Sequence, residues 1–193
     1  MPMQDDKNAL PVCFRCGSSN SLVARNDAQF GEACTNCKHP FIRCFVSFDV
    51  LPLVEFIPIE GITENEAADL ICQYSANTGT DKHSFDESIN SALNDHVDEY
   101  IPIVLDRECL KDLNREEVFV IKKDTESINQ WHFYKNMIPE IGIALCPSCH
   151  HFFHEGDYEY SFLQKEECPV CSASNVSNVS DFLITMFYQT YVF

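Results

Sequence analysis

CPSCHHFFHEGDYEYSFLQKEECPVC, residues 146–171, opens and closes on a Cys-x-x-Cys pair. Two thiolates three positions apart on a tight turn can face one ion, and a second such turn completes a tetrahedron of sulfurs at about 2.3 Å from zinc. Between these pairs lie 18 residues, inside the roughly 15- to 20-residue interval of a zinc-binding CxxC…CxxC pattern. The arrangement recurs near the start, where 17 residues separate Cys13 and Cys16 from Cys34 and Cys37. The double match specifies eight metal ligands, Cys13, Cys16, Cys34, Cys37, Cys146, Cys149, Cys168 and Cys171, and two structural zinc ions. Spacing alone leaves the pairing open, including an exchange of partners between the two ends.

Competing uses of these cysteines fit less well. A disulfide framework belongs to oxidising compartments, and no basic stretch followed by a signal-length apolar run precedes the first pair. A thioredoxin-like redox site needs one CxxC in a βαβ unit. Here there are four such pairs, beside turn residues such as Gly17, Ser18, Asn36, Pro147 and Pro169. The remaining cysteines, Cys44, Cys72 and Cys109, sit in apolar or helical contexts and read as core. His150, His151 and His154 follow Cys149 closely, so a three-Cys, one-His site or a RING-like ubiquitin ligase is the alternative reading of that half. The simpler assignment places these histidines, and His39, beside the metal rather than on it.

A closed four-thiolate site leaves no coordination position for a catalytic water, so zinc here serves folding, and its binding free energy is folding free energy. Other catalytic signatures are missing: no glycine-rich phosphate loop in a chain with 6 glycines, no HExxH and no GxSxG. Asp98–Glu99 and Glu116–Glu117 are neighbours in sequence and read as solvated charges. The expectation is a protein that is not an enzyme.

Composition narrows the partners. Lys and Arg number 13 against 30 Asp and Glu, a formal charge of −17, so nucleic acid, which is held through basic side chains, is excluded as a partner. No apolar run reaches the roughly 20 residues that span a bilayer, and the tail DFLITMFYQTYVF (181–193) is too short, so no direct membrane insertion and a cytoplasmic location are expected. With 45% hydrophobic residues over 193 positions, the chain can build a core between its metal sites.

That middle reads as α+β: two small zinc ribbons packed with a small mixed sheet and short helices. FVSFDVLPLVEFIPIEG (45–61), interrupted by Pro52 and Pro58, suggests edge strands or extended segments. TENEAADLICQY predicts a helix capped by Thr63, with Glu66 completing a capping box and Ala67, Leu70, Ile71 and Tyr74 on one face. Residues 75–96 are polar and read as a mobile loop. EYIPIVLD predicts a strand, DRECLKDL a helix capped by Asp106 with Cys109, Leu110 and Leu113 inward, EEVFVIKK a strand, QWHFYKNMIP a helical turn, and IGIALC a strand. Trp131, Phe133 and Tyr134 are core candidates, and EGDYEYSFLQKEE is either a helix burying Tyr158, Phe162 and Leu163 or ribbon strands. The expected organisation is a first zinc ribbon over 11–44, a central α+β region over 45–145, a second ribbon over 146–171 and a tail of unknown role over 172–193.

Taken in order, PVCFRC, CTNCKHPFIR, SFDVLPLVEF, GITENEA, EYIPIVL, CPSCHHFFHEGDYE and ECPVC resemble the C-terminal zinc-binding region of the intraflagellar transport protein 122 homologues, subunits of intraflagellar transport complex A. The resemblance spans about residues 11–171. It implies a non-catalytic scaffold module at the cilium and its basal body, contacting other complex A subunits in retrograde transport and in membrane-protein entry. The propellers and helical repeats of that family are not legible in this chain, and the last 22 residues, from Ser172, have no counterpart in the resemblance.

Overall fold

The computed structural model describes residues 11–20, 33–73, 85, 87–89, 99–125 and 128–174. A four-stranded mixed sheet lies at the centre, in the order β2-β1-β4-β3. β1 (Leu53–Pro58) runs parallel to β2 (Ile103–Leu105) and antiparallel to β4 (Ile128–Asn136), which forms a hairpin with β3 (Val118–Thr125). A smaller antiparallel pair, β5 (Ile143–Leu145) and β6 (Phe152–His154), follows. The α+β architecture and mixed sheet expected from the sequence are therefore present.

Side chains alternate along each strand, so the sheet has two distinct faces. On one, Val54, Phe56, Ile103, Leu105, Val118, Val120 and Phe133 meet Ala67, Ala68, Leu70 and Ile71 of α1 (Glu64–Gln73) and Leu110 of α2 (Arg107–Asp112). Phe85 and Ile89, helical residues of a stretch expected to be a loop, are buried in the same cluster. On the other face, Leu53, Ile121 and Tyr134 pack with Cys44, Leu51, Ile143 and Phe152. Helices thus cover one face, and cysteine-bearing hairpins cover the other.

The helix caps follow the sequence. Glu66 N–H donates to Thr63 Oγ1 at 3.2 Å, while the Glu66 carboxylate engages Arg107 rather than closing the box. Asp106 caps α2 by accepting from Cys109 N–H at 2.8 Å. Hydrogen bonds to the ionised carboxylate, first from the Cys109 backbone, hold Asp106 below its ordinary pKa. Tyr74 lies outside the described residues.

Three expectations are corrected. The stretch around QWHFYKN is strand, not helical turn: Trp131 and Phe133 stack on one face while His132 and Tyr134 stack on the other. β1 is a central strand, because Pro52 precedes it and Pro58 is its last residue, where a missing N–H interrupts nothing. In α3 (Glu155–Lys165) Tyr158 is fully buried among Ala144, Cys146, Phe153 and Cys168, but Leu163, five positions on and so roughly 140° round the helix, is 75% exposed.

Candidate metal centres

Among the described residues, five short loops share one hydrogen-bond pattern. The N–H of the leading cysteine donates to the carbonyl five residues on, and the N–H four residues on donates back to that cysteine's carbonyl, at 2.8–3.1 Å throughout. The leading residues are Cys13, Cys34, Cys44, Cys146 and Cys168. In each loop the residue four positions on has positive φ: Gly17, Lys38, Phe48, His150 and Ser172. Bridges Val12↔Ser19, Ala33↔Pro40 and Arg43↔Val50 close the first three, in the register by which Leu145↔Phe152 closes the fourth. This knuckle turns the intervening N–H groups toward the sulfurs.

Four knuckles carry a second cysteine, and they meet in two groups, Cys13, Cys16, Cys34 and Cys37, and Cys146, Cys149, Cys168 and Cys171. Within each group the sulfurs lie within 4.8 Å of one another. Cys13–Cys37 and Cys16–Cys34 are 3.7 and 3.6 Å apart, and Cys146–Cys171 and Cys149–Cys168 are 3.8 and 3.9 Å. A disulfide needs about 2.05 Å, whereas a zinc tetrahedron with sulfurs at about 2.3 Å has edges of roughly 3.8 Å. The donor set therefore fits tetrahedral zinc, with no exchange of partners between the ends of the chain. The protein has two structural zinc sites.

The first site is drawn toward thiolate by its surroundings. Cys13 is held down at about 3, first by a hydrogen bond from Cys37 and then, against burial, by one from His39, while Cys37 is raised as it keeps the shared proton. At Cys34, burial is outweighed by the Ser18 hydroxyl and the N–H groups of Cys37 and Asn36. Ser18 Oγ lies 3.0 Å from Cys16 Sγ and 3.2 Å from Cys34 Sγ. Asn20, 1% exposed, accepts from Thr35 N–H and Oγ1 at 2.8 and 2.9 Å and reaches Cys34 Sγ with Nδ2 at 3.6 Å. Neither Ser18 nor Asn20 follows from cysteine spacing.

At the second site, burial is the largest influence on Cys146, but the N–H groups of Cys149 and Ser148 pull it below its ordinary value. Burial raises Cys149 and Cys168, and also the Tyr158 hydroxyl, on which the charge of the Cys146 sulfur is the next influence. None of the nearby histidines joins the sulfurs. His150 takes the positive-φ position. His151 Nδ1 lies 3.1 Å from the Cys149 carbonyl. His154 precedes α3, with Nε2 3.9 Å from Asp49. Among the described residues this half holds one four-cysteine group, and the cross-braced second site of a RING is not formed.

The fifth knuckle went unread in the sequence because Ser47 stands where a second cysteine would. Cys44 is fully buried, as expected of core, and burial opposes its ionisation; the Ser47 hydroxyl and the N–H groups of Ser47, His154 and Val46 reverse the balance and lower its pKa. Phe45 N–H donates to Phe152 O at 3.0 Å, seating this loop on β6. Cys72 and Cys109 are half-buried, the latter against the helix-side core.

A polar cluster joins the first site to the sheet. His132 Nδ1 and Tyr100 Oη lie 2.9 and 3.1 Å from the two carboxylate oxygens of Glu55. Burial, followed by that carboxylate, raises the Tyr100 phenol. Arg15, from the first knuckle and 4% exposed, lies over the Tyr100 ring at 5.3 Å.

The IFT122 zinc ribbon domain matches residues 7–54, through the fifth knuckle, and the IFT122 C-terminal zinc ribbon domain matches residues 141–175. The chain is 32% identical to the intraflagellar transport protein 122 homologs of Mus musculus and Homo sapiens and 31% identical to that of Danio rerio. Each alignment covers 88% of this chain and 15–16% of the relative, so the chain spans about one-sixth of the length of the curated relatives it matches.

Proposed function

Because this chain carries the paired zinc ribbons of an IFT122-type zinc-binding region, we propose that it is a non-catalytic, zinc-stabilised scaffold module of intraflagellar transport complex A. It holds the other subunits of that complex during retrograde ciliary transport and membrane-protein entry, at the cilium and basal body. Its zinc ligands are Cys13, Cys16, Cys34 and Cys37 at the first site and Cys146, Cys149, Cys168 and Cys171 at the second. The observation that carries this reading is the closed donor set: four sulfurs per site leave no position for a reacting water, so each ion fixes shape. Zinc compensates for ribbons too small to bury much hydrocarbon.

With a formal charge of −17, the module presents an acidic surface to its partners, and basic subunit faces suit it. No helix among the described residues is long and apolar enough to cross a membrane. The central region, residues 45–145, forms the platform to which the two ribbons, residues 11–44 and 146–171, are attached.

The test combines metal counting with assembly. Native mass spectrometry of the chain should show two zinc ions, falling to one in the Cys146→Ser, Cys149→Ser double variant. The same substitutions in the full-length subunit should weaken its co-purification with the other complex A subunits from ciliated cells and slow retrograde particles. Unchanged assembly and unchanged transport with the second site destroyed would overturn the scaffold reading.

A further inference from the structure

Asn20 stands seven residues after Cys13, at a place that other knuckles fill with hydrocarbon: Phe41, Leu51 and Phe153 follow Cys34, Cys44 and Cys146 by the same interval. All four side chains are buried. A primary amide in such a place is costly unless its donors and acceptors are met. Asn20 has two N–H groups and two lone pairs to satisfy, and all four are used. Its Oδ1 accepts from Thr35 N–H at 2.8 Å and from Thr35 Oγ1 at 2.9 Å, while Nδ2 donates to the Ser18 carbonyl at 3.0 Å and to Cys34 Sγ at 3.6 Å. A backbone N–H can only donate, so Thr35 fixes the oxygen end of the amide and turns its nitrogen to the sulfur. Three of the four contacts cross from the first knuckle to the second, and none of them passes through the metal.

The position five residues after the leading cysteine adds a second donor. There Ser18 sets its hydroxyl 3.0 Å from Cys16 Sγ and 3.2 Å from Cys34 Sγ. A metal-bound sulfur carries no proton, so the hydroxyl is the donor. The equivalent residues elsewhere act differently. His39 turns its ring into the sheet, where Nε2 accepts the N–H of Glu55, in β1, at 3.1 Å. His151 Nδ1 meets the Cys149 carbonyl, and Ala173 brings no polar side chain. Cys34 Sγ, 1% exposed as a residue, thus receives both an amide and a hydroxyl.

We propose that Asn20 and Ser18 are positioning residues for the first zinc site: the Asn20 amide latches the second knuckle onto the first in the register that zinc needs, and both residues direct hydrogen bonds at the Cys34 sulfur. This rests on the zinc reading and deepens it. Four thiolates around one divalent ion leave net negative charge on the sulfurs, which N–H and O–H donors offset. Groups that hold metal ligands typically govern metal affinity by roughly 10- to 100-fold. The first site is then held together in part by its own side chains, before and after the ion arrives.

Four variants test this in the full chain. Asn20→Asp keeps the shape and both acceptors for Thr35 but sets an anionic oxygen where Nδ2 faced the Cys34 sulfur. Asn20→Leu supplies the residue of the fifth knuckle, which suffices if the place only needs filling. Ser18→Ala supplies the residue of the Cys168 knuckle, and Ser18→Thr keeps a hydroxyl. Zinc release to 4-(2-pyridylazo)resorcinol is followed alongside ¹¹³Cd spectra of the cadmium-exchanged chain, whose two resonances are assigned by coupling to cysteine β protons. Asn20→Asp and Asn20→Leu are each expected to speed release of one of the two ions by roughly 10- to 100-fold. Ser18→Ala should speed release of the same ion by a smaller factor, with Ser18→Thr restoring the wild-type rate. In each variant that speeds release, the ¹¹³Cd resonance coupled to Cys34 should move and the other should stay.

A measurement on the unsubstituted chain stands apart from the folding of any variant: the Asn20 side-chain amide protons should resist exchange with solvent and show nuclear Overhauser contacts to the Cys34 β protons. Freely exchanging amide protons, wild-type release in Asn20→Asp or Asn20→Leu, or equal movement of both ¹¹³Cd resonances would overturn the latch while leaving two zinc sites in place. A chain that binds no metal would overturn the latch and the zinc reading together.

Discussion

At the scale of single residues, the knuckles depend on backbone conformation as much as on sulfur. Gly17, at φ 69°, has nothing within 4 Å of where a Cβ would lie, so Gly17→Ala meets only the left-handed backbone penalty. The expected loss is about 1 kcal/mol, read as a lower midpoint in urea unfolding of the zinc-loaded chain. Asp106→Ala removes the cap on Cys109 N–H and should cost a similar amount, about 1 kcal/mol. Because the folded Asp106 pKa is depressed, this contribution is present above the unfolded value of about 3.9 and is lost as pH falls through the folded value. The wild-type and Asp106→Ala midpoints should therefore converge below about pH 4 and separate above it. His39 lies at the limit of what a sequence shows at this scale. Its spacing from Cys37 marks it as near the metal, but its acceptor role depends on Glu55, 16 residues away and brought close only by the fold.

At the scale of elements, cysteine spacing carried the two sites, because a knuckle is a local structure and its ligands are read directly from the chain. The helices were legible for the same reason, through Thr63 and Asp106. β4 was not, since Trp131, His132, Phe133 and Tyr134 are ring-bearing on both sides of the strand and no polar face marks period two. The fifth knuckle was hidden by one substitution, Ser47 for cysteine, that leaves every backbone hydrogen bond of the loop in place. Its position against β6 makes it a structural part of the second-face core. In the hairpin, Phe133 is 1% exposed, packs at a tilt against Phe56 and stacks with Trp131. Phe133→Ala should cost about 3–5 kcal/mol, with zinc stoichiometry by native mass spectrometry remaining at two per folded chain. Loss of an ion in that variant would contradict a helix-side core that is built without metal ligands.

At the scale of the whole molecule, the sheet divides two kinds of stabilisation. The core under α1 and α2 is covered by helices, whereas the opposite face is covered by the Cys44 knuckle, which has no second cysteine, and by the β5–β6 hairpin, whose loop belongs to the second zinc site. Chelation should therefore act in stages. Hydrogen exchange after zinc removal is expected to show amides of the four metal knuckles losing protection first, with α1 and β3 retaining theirs longer; simultaneous loss everywhere would show that the layers are not separable. The sequence announced both metal sites and a mixed sheet but not this sidedness, which follows from strand order and from which alternate residues of β1, β3 and β4 point toward each layer. Leu53, Ile121 and Tyr134 lie beneath the covered side. A cell that withholds zinc or oxidises these thiols would thus uncover a greasy strip rather than an inert loop, and such a strip is what chaperones and degradation machinery recognise. The metal inventory of the chain becomes a visible certificate of its assembly, one that surveillance can check before the protein reaches any partner.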